Sequence, residues 1–452
     1  MRFILILLIY LSQFSLSGCA NSEPVRENGI IPLLVSSSIA NGAQDVTYGL
    51  QTIILTFDQN IILADKDAVL LNGMKLTDVD AAFKELKINV QLMHTTTYVL
   101  QILSTAIKGP TGIYAEAMTI TFNTISEPQQ YIQTDLVTTN VSAQAKNVYG
   151  FLRENFGKKS ISGTMANVSW NTNEAEWVYK HTGKYPALNG FDLIHLYASP
   201  ASWINYNDTK VIEDWWNANG LVTLMWHWNV PANEGSSNHH FYTKDTQFDI
   251  SKAVIEGTYE HKIVSADLEK AANVLLLLKD KNIPVLWRPL HEAAGKWFWW
   301  GAKDASYYKK LWIMMFNYFK SRGLNNLIWV WTSETNDEDW YPGDAYVDII
   351  GCDLYNRPTS SSVSTIYNYI NAKYPNKIIA LSEFGTLSDF TPQWESGSTW
   401  SWIMPWYDYD RTVDARSNSF NEKSHMHANI EYWNRLWSNE YVLTRDQIPN
   451  LK

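Results

Sequence analysis

All 21 tryptophans of this 452-residue chain fall between Trp170 and Trp437, and the first 169 residues contain none. So large a residue is not spread so unevenly within one hydrophobic core. The asymmetry predicts two separately packed parts, and the length accommodates one small domain beside a barrel of about 250 residues or more. The flat apolar face of tryptophan also stacks on the C–H faces of sugar rings. Lys+Arg number 36 against 46 Asp+Glu, the formal charge is −10, and there is no basic run of five. No nucleic-acid partner is expected, because phosphate neutralisation needs a cationic surface. With two cysteines, a disulfide framework is not expected.

Arg2 precedes an apolar run from Phe3 to Leu11. A positive start and a short apolar core read as an export signal, too short for a membrane span of ~20 apolar residues. The run leads into Leu16-Ser17-Gly18-Cys19, which resembles a bacterial lipobox. The resemblance implies cleavage before Cys19 and acylation of its thiol. Acyl chains worth about 0.8 kcal/mol per buried CH₂ would then hold an exported protein at a membrane. An ordinary signal with an incidental cysteine is the plainer alternative. Residues 1–18 are assigned to the signal and 19–31 to a polar tether. The other thiol, Cys352, lies in an apolar strand pattern and reads as core.

From 32 to 125 short alternating runs recur at 52–57, 68–71, 88–92, 97–102 and 118–122, with a hairpin signal at Asn72-Gly73. They predict a small β-sandwich. The stretch Ser38 to Val46, leading to Leu55-Thr56-Phe57-Asp58, resembles bacterial Ig-like modules. Without a tryptophan to serve as a sugar platform, this part reads as a spacer. A linker follows at 126–134. From 135 to 452, strands alternate with helices. Eight strands are predicted: Ser160–Met165, Ala187–Asp192, Leu221–Trp226, Pro284–Leu290, Leu327–Trp331, Val347–Asp353, Ile378–Glu383 and Thr399–Trp406. Helices are expected at 142–156, 208–218, 265–281, 304–322, 363–374 and 427–437. The pattern fits a (β/α)₈ TIM barrel; a doubly wound sheet is the alternative, but no glycine-rich phosphate turn follows the first strand.

Function in such a barrel sits at the C-terminal ends of the strands. Strand four ends in His291-Glu292 and strand seven in Glu383-Phe384-Gly385, so each presents a carboxylate beyond an apolar run. One such Glu reads equally well as a buried ion-pair partner. Two of them, with aromatics around both, are the equipment of glycoside hydrolysis: one neutral acid to protonate the leaving oxygen, one anion to attack the anomeric carbon.

The placement on strands four and seven resembles the large clan of retaining (β/α)₈ glycosidases. Arg288-Pro289-Leu290-His291-Glu292, followed by Gly295-Lys296-Trp297-Phe298-Trp299-Trp300-Gly301, resembles the acid/base signature of glycoside hydrolase family 26, and Ser382-Glu383-Phe384-Gly385 its nucleophile motif. That family consists mainly of β-mannanases. The similarity runs from about Asp135 to Ile448, with Ala293-Ala294 standing where mannanases often have Met and Asn. The resemblance implies Glu292 as acid/base and Glu383 as nucleophile. It further implies substrate contacts from His227, His291, Trp297, Tyr355 and Trp406, with Tyr355 bonded to the nucleophile and Trp406 as the stacking floor. The residue-level alternatives are a structural histidine at 227 and an aromatic lid residue at 355. For Trp299, Trp300, Trp329 and Trp331, packing and sugar contact are equally open.

The expected activity is retaining endo-β-1,4-mannanase, on mannan or a related plant polysaccharide, by a monomer without cofactor or metal. Mixed-linkage β-glucan, β-1,3-xylan, or non-catalytic glycan capture by a surface lipoprotein are the alternatives. His239-His240 and His425-x-His427 lack a Cys or carboxylate at ligand spacing and are expected to be solvated loop histidines. Asp337-Glu338-Asp339 is likewise expected to be a solvated loop.

Overall fold

A computed structural model describes residues 30–125, 131–196 and 204–452. The export signal, Cys19, most of the tether and the first half of the linker lie outside the described residues. The chain divides into two compact units, Met1–Glu127 and Pro128–Lys452.

In the first unit, period-two alternation sets the packing. Leu86, Ile88, Val90 and Leu92 of strand Glu85–Leu92 are buried, while Lys87, Asn89 and Gln91 face outward. Two four-stranded antiparallel sheets form. One orders strands 34–37, 49–57, 85–92 and 79–82; the other orders 118–123, 97–102, 69–71 and 74–75. Ile53, Leu55 and Ile88 of the first share one core with Leu100, Ile102 and Phe122 of the second. Asn72 and Gly73, at φ 49° and 78°, turn Leu71 back onto Met74, the left-handed geometry of a two-residue hairpin.

The second unit is a closed parallel barrel. Its strands are β1 (Ser160–Met165), β2 (Leu188–Asp192), β3 (Leu221–Trp226), β4 (Val285–Pro289), β5 (Leu327–Ser333), β6 (Ile349–Arg357), β7 (Ile378–Leu387) and β8 (Trp402–Pro405). Each pairs with the next, and β8 and β2 both pair with β1, which closes the ring. β1 to β5 and β8 are buried at every position, as expected of strands covered on both faces.

The helices are α1 (Ala143–Asn155), α2 (Asn173–Thr182), α3 (Lys210–Asn217), α4 (Ile250–Ala253), α5 (Tyr259–Asp280), α6 (Ala305–Ser321), α7 (Ser360–Lys373), α8 (Phe390–Glu395) and α9 (Ile430–Trp437). α1 shows the local logic. The Ser142 hydroxyl caps Ala145 N–H, and Ala145, Val148, Tyr149 and Leu152 form the buried stripe. Gly157, at φ 76°, takes the left-handed turn past its end. Between β5 and β6 the chain makes two 3₁₀ turns, Glu338–Trp340 and Asp344–Tyr346, in place of an α-helix.

Among the described residues twelve tryptophans, including Trp299, Trp300, Trp329 and Trp331, are fully buried. Packing therefore accounts for those four. Cys352 is fully buried, as its strand pattern predicts.

Candidate active site

Arg288, the fourth residue of β4, is the hub of the C-terminal rim. Its guanidinium is 1% exposed. It donates to Asp353 Oδ2 at 2.6 Å and to Glu383 Oε2 at 2.7 Å. A buried cation shared by two carboxylates offsets the cost of burying their charge.

The β6–β7 register slips by one residue between Cys352 and Asp353, leaving Ser382 without a Cα partner. Such a bulge lets two consecutive side chains reach one side. Ser382 Oγ donates to Asp353 Oδ1 at 2.7 Å, and Glu383 Oε1 accepts the Tyr355 hydroxyl at 2.6 Å. Glu292 stands beyond β4 at φ 54°, after Leu290 at φ 50°. Trp297 Nε1 donates to its Oε2 at 2.9 Å.

Glu292, Asp353 and Glu383 each bring a carboxylate oxygen within 4.8 Å of the others. Three acids this close could hold a cation, but Arg288 already supplies the positive charge to two of them. Burial, then the charges of Asp353 and Glu383, push the Glu292 carboxyl up to about 10. Burial and Asp353 raise Glu383 too, but Arg288 and the Tyr355 hydroxyl stabilise its anion. Glu292 accepts one neutral indole N–H, whereas Glu383 accepts a guanidinium and a phenol. The donors order the pair: Glu292 holds the proton and Glu383 the charge.

His227 follows β3. Its backbone N–H and its Nδ1 both meet Asp192, at 3.0 Å and 2.6 Å. That assigns the proton to Nδ1 and leaves Nε2 as the unengaged ring nitrogen. His291 is buried edge-to-face against His227, ring centroids 4.6 Å apart. Burial, then Arg288 and His227, hold its pKa well below the usual range, and its Nδ1 has no hydrogen-bond partner among the described residues. Trp406, just past β8, lies 5.8 Å from His227. Trp297 is 42% exposed. From Trp406, ring contacts run one way through Tyr407 to Tyr409, and the other way through His227, Phe241 and Tyr242 to Phe298 and Trp297.

The structure thus gathers all seven sequence-predicted barrel residues at one rim. It adds Asp192, Asp353, Arg288 and Glu334, to which the sequence assigns no role. Asp192 and Asp353 end predicted strands two and six, so the criterion that selects Glu292 and Glu383 selects them as well. Two loop expectations are each corrected at one residue, while Glu338 and Asp339 are exposed as expected. His425 is not solvated: its ring is buried against Trp177 and bonded to Glu174 at 3.1 Å. Asp337 is 3% exposed and closes the turn after β5 by accepting from Ser333 Oγ and Glu334 N–H. A short polar loop reads as solvated because nothing local encodes the partners that bury it.

A (β/α)₈ barrel with two convergent glutamates in an aromatic-rimmed opening is the equipment of a glycoside hydrolase. Residues 137–444 match the model of Glycosyl hydrolase family 26, and the chain belongs to that family. It is 34% identical to a mannan endo-1,4-beta-mannosidase of Thermothelomyces thermophilus, over 71% of this chain and 64% of that protein. Among solved structures, it is similar to the GH26 domain of an endo-beta-mannanase/endo-beta-glucanase from Prevotella bryantii. The identity is 40% and the TM-score 0.64, covering 70% of this chain and 100% of that one. It is also similar to a beta-mannanase from a symbiotic protist of the termite Reticulitermes speratus, complexed with gluco-manno-oligosaccharide. There the identity is 37% and the TM-score 0.61, covering 70% of this chain and 98% of that one. The chain spans between about half and two thirds of the length of the first curated relatives it matches.

Proposed function

We propose that the protein is a retaining endo-β-1,4-mannanase, acting as a single chain on mannan-type plant polysaccharide by double displacement. One observation carries the retaining mechanism. The oxygens of Glu292 and Glu383 approach within 4.8 Å, short of the roughly 6.5–9.5 Å that an inverting site needs for its water.

In the first step Glu383 attacks the anomeric carbon as the bond to the leaving oxygen breaks, and Glu292 gives that oxygen its proton. A covalent glycosyl-enzyme results. Glu292, now a base, takes a proton from water, which attacks the same carbon and releases Glu383. Arg288 and Tyr355 hold Glu383 in line. His227 Nε2 meets sugar hydroxyls, while Trp406 and Trp297 orient rings on either side of the cleavage point. The steps balance without a cofactor or metal. The choice of mannan is supported by relatives that are themselves mannan endo-1,4-beta-mannosidases. Initial products should keep the β configuration by NMR, on β-mannan in preference to mixed-linkage β-glucan and β-1,3-xylan. An inverted first product rules out the mechanism, and preference for another polymer rules out the substrate.

The N-terminal sandwich is read as an Ig-like spacer, and Cys19 as a lipidated residue that holds an exported enzyme at a bacterial membrane. The Leu16–Cys19 pattern supports the anchor. Cys19→Ala should move the protein to the soluble fraction; retention on washed membranes would refute it.

A further inference from the structure

Glu334 is the first residue after β5. Its Oε2 accepts the Gly295 N–H at 2.7 Å, on the loop from Glu292 to Trp297. Gly295 is pressed beneath the Trp297 indole, where a β-carbon would lie 1.9 Å from the ring. The same indole donates to Glu292. Glu334 therefore grips the backbone point around which both the Glu292 carboxyl and the Trp297 ring are folded. Its own turn is fixed by Asp337, which takes the Ser333 hydroxyl at 2.9 Å and the Glu334 N–H at 2.6 Å. Both segments carry left-handed backbone at non-glycine residues: Glu292 and Lys296 at φ 54° and 62°, Thr335 and Asn336 at φ 69° and 54°. Such backbone persists only where the surroundings over-determine it.

We propose that Glu334 is a positioning residue for Glu292, holding the acid/base loop through Gly295 and keeping Glu292 protonated by its negative charge. The inference rests on the acid/base reading of Glu292. The groups facing Glu292 are the Asp353, Glu383 and Glu334 carboxyls, the Arg288 guanidinium, the Tyr355 and Tyr242 hydroxyls and the Cys352 thiol. Glu334 faces Asp337 and Asp353, the Ala294 and Gly295 N–H groups, the Tyr308 hydroxyl and the Cys352 thiol. Burial first, then Asp337 and Asp353, push Glu334 up to about 7, so its charge develops as pH rises toward the range where Glu292 must retain its proton.

The test is the pH profile of kcat/KM on β-mannan for the full chain, E334Q and E334A. E334Q keeps an oxygen acceptor for Gly295 and loses the charge. Its alkaline limb should move to lower pH by roughly half to one unit, the size expected of one nearby charge. E334A should show the same shift and about 10- to 100-fold lower kcat from the loosened loop. An unmoved limb in E334Q overturns the proposal. A wild type that cuts no mannan would overturn the functional reading instead. Independently of turnover, the ¹³C titration of the Glu292 carboxyl, read as the signal absent from E292Q, should show the same downward shift in E334Q. An unchanged titration overturns the proposal on its own.

Discussion

Glu292 and Glu383 are one residue type in two electrostatic settings, and the difference between them is a set of donors. Among the described residues, Glu383 accepts from Arg288 and Tyr355, and Glu292 only from Trp297. The two alanine variants should therefore fail differently. Glu292→Ala should lose about 10²- to 10⁴-fold on polymer. It should keep much of its activity on an aryl glycoside, whose leaving group needs no proton, with azide replacing water in the second step. Glu383→Ala should be inactive on both substrates, with azide giving at most an inverted product. Steady-state rates with and without azide, on both substrates, check this. Equal loss on both substrates in Glu292→Ala would contradict its role.

At the scale of elements, the segment between β8 and α9 shows how a long loop is kept in place. Glu174, in the first turn of α2, is 3% exposed and takes donors from three points of that segment. These are Asp408 N–H at 2.9 Å, the Thr412 hydroxyl, and His425 Nε2 at 3.1 Å. His425 Nδ1 in turn accepts the N–H groups of His427 and Ala428, each at 3.0 Å, so its proton sits on Nε2. His427 then lies edge-on to Tyr355, which donates to Glu383. Glu174→Ala leaves these buried donors unmade and should cost about 2–4 kcal/mol. Unfolding in urea checks the stability, and kcat/KM should fall with it as Trp406 and Tyr355 lose their support. Unchanged stability would mean that ring contacts alone hold the loop.

At the scale of the whole molecule, the two units own separate cores, one built around Ile53, Ile88 and Leu100 and the other around the barrel. A chain starting near Gln130 keeps Gln133, whose N–H reaches Asn376 O and whose side chain takes Lys377 Nζ. It should fold cooperatively and hydrolyse polymer at a rate within about 3-fold of the full chain, on the expectation that each domain carries its own core. Circular dichroism melts and reducing-sugar release check both. Loss of folding would show that the barrel depends on the residues before it.

What the amino-acid order determined by itself is the set of barrel strands and the two glutamates. β3 reads as an apolar run and matches its predicted bounds, β1 matches although its Ser-Ile-Ser-Gly-Thr-Met is mostly small and polar, and the other six agree in place with ends that differ by up to four residues. Glu292 and Glu383 stand out because a carboxylate directly after an apolar run contradicts its surroundings. α2 is not legible: it is ten residues long, and a buried face of Glu174, Ala175, Trp177 and Val178 gives little apolar periodicity. Which tryptophans face the site and which only pack is not written locally, because one residue type serves both and Trp406 lines the opening while itself largely buried. The rest of the site belongs to the closed barrel. Arg288 meets Glu383 across 95 positions and His227 meets Asp192 across 35. Asp192 and Asp353 sit at predicted strand ends and Arg288 within the strand-four motif, but the roles of these three and of Glu334 are not written locally, because each acts through a partner that only the ring of strands brings within hydrogen-bond reach.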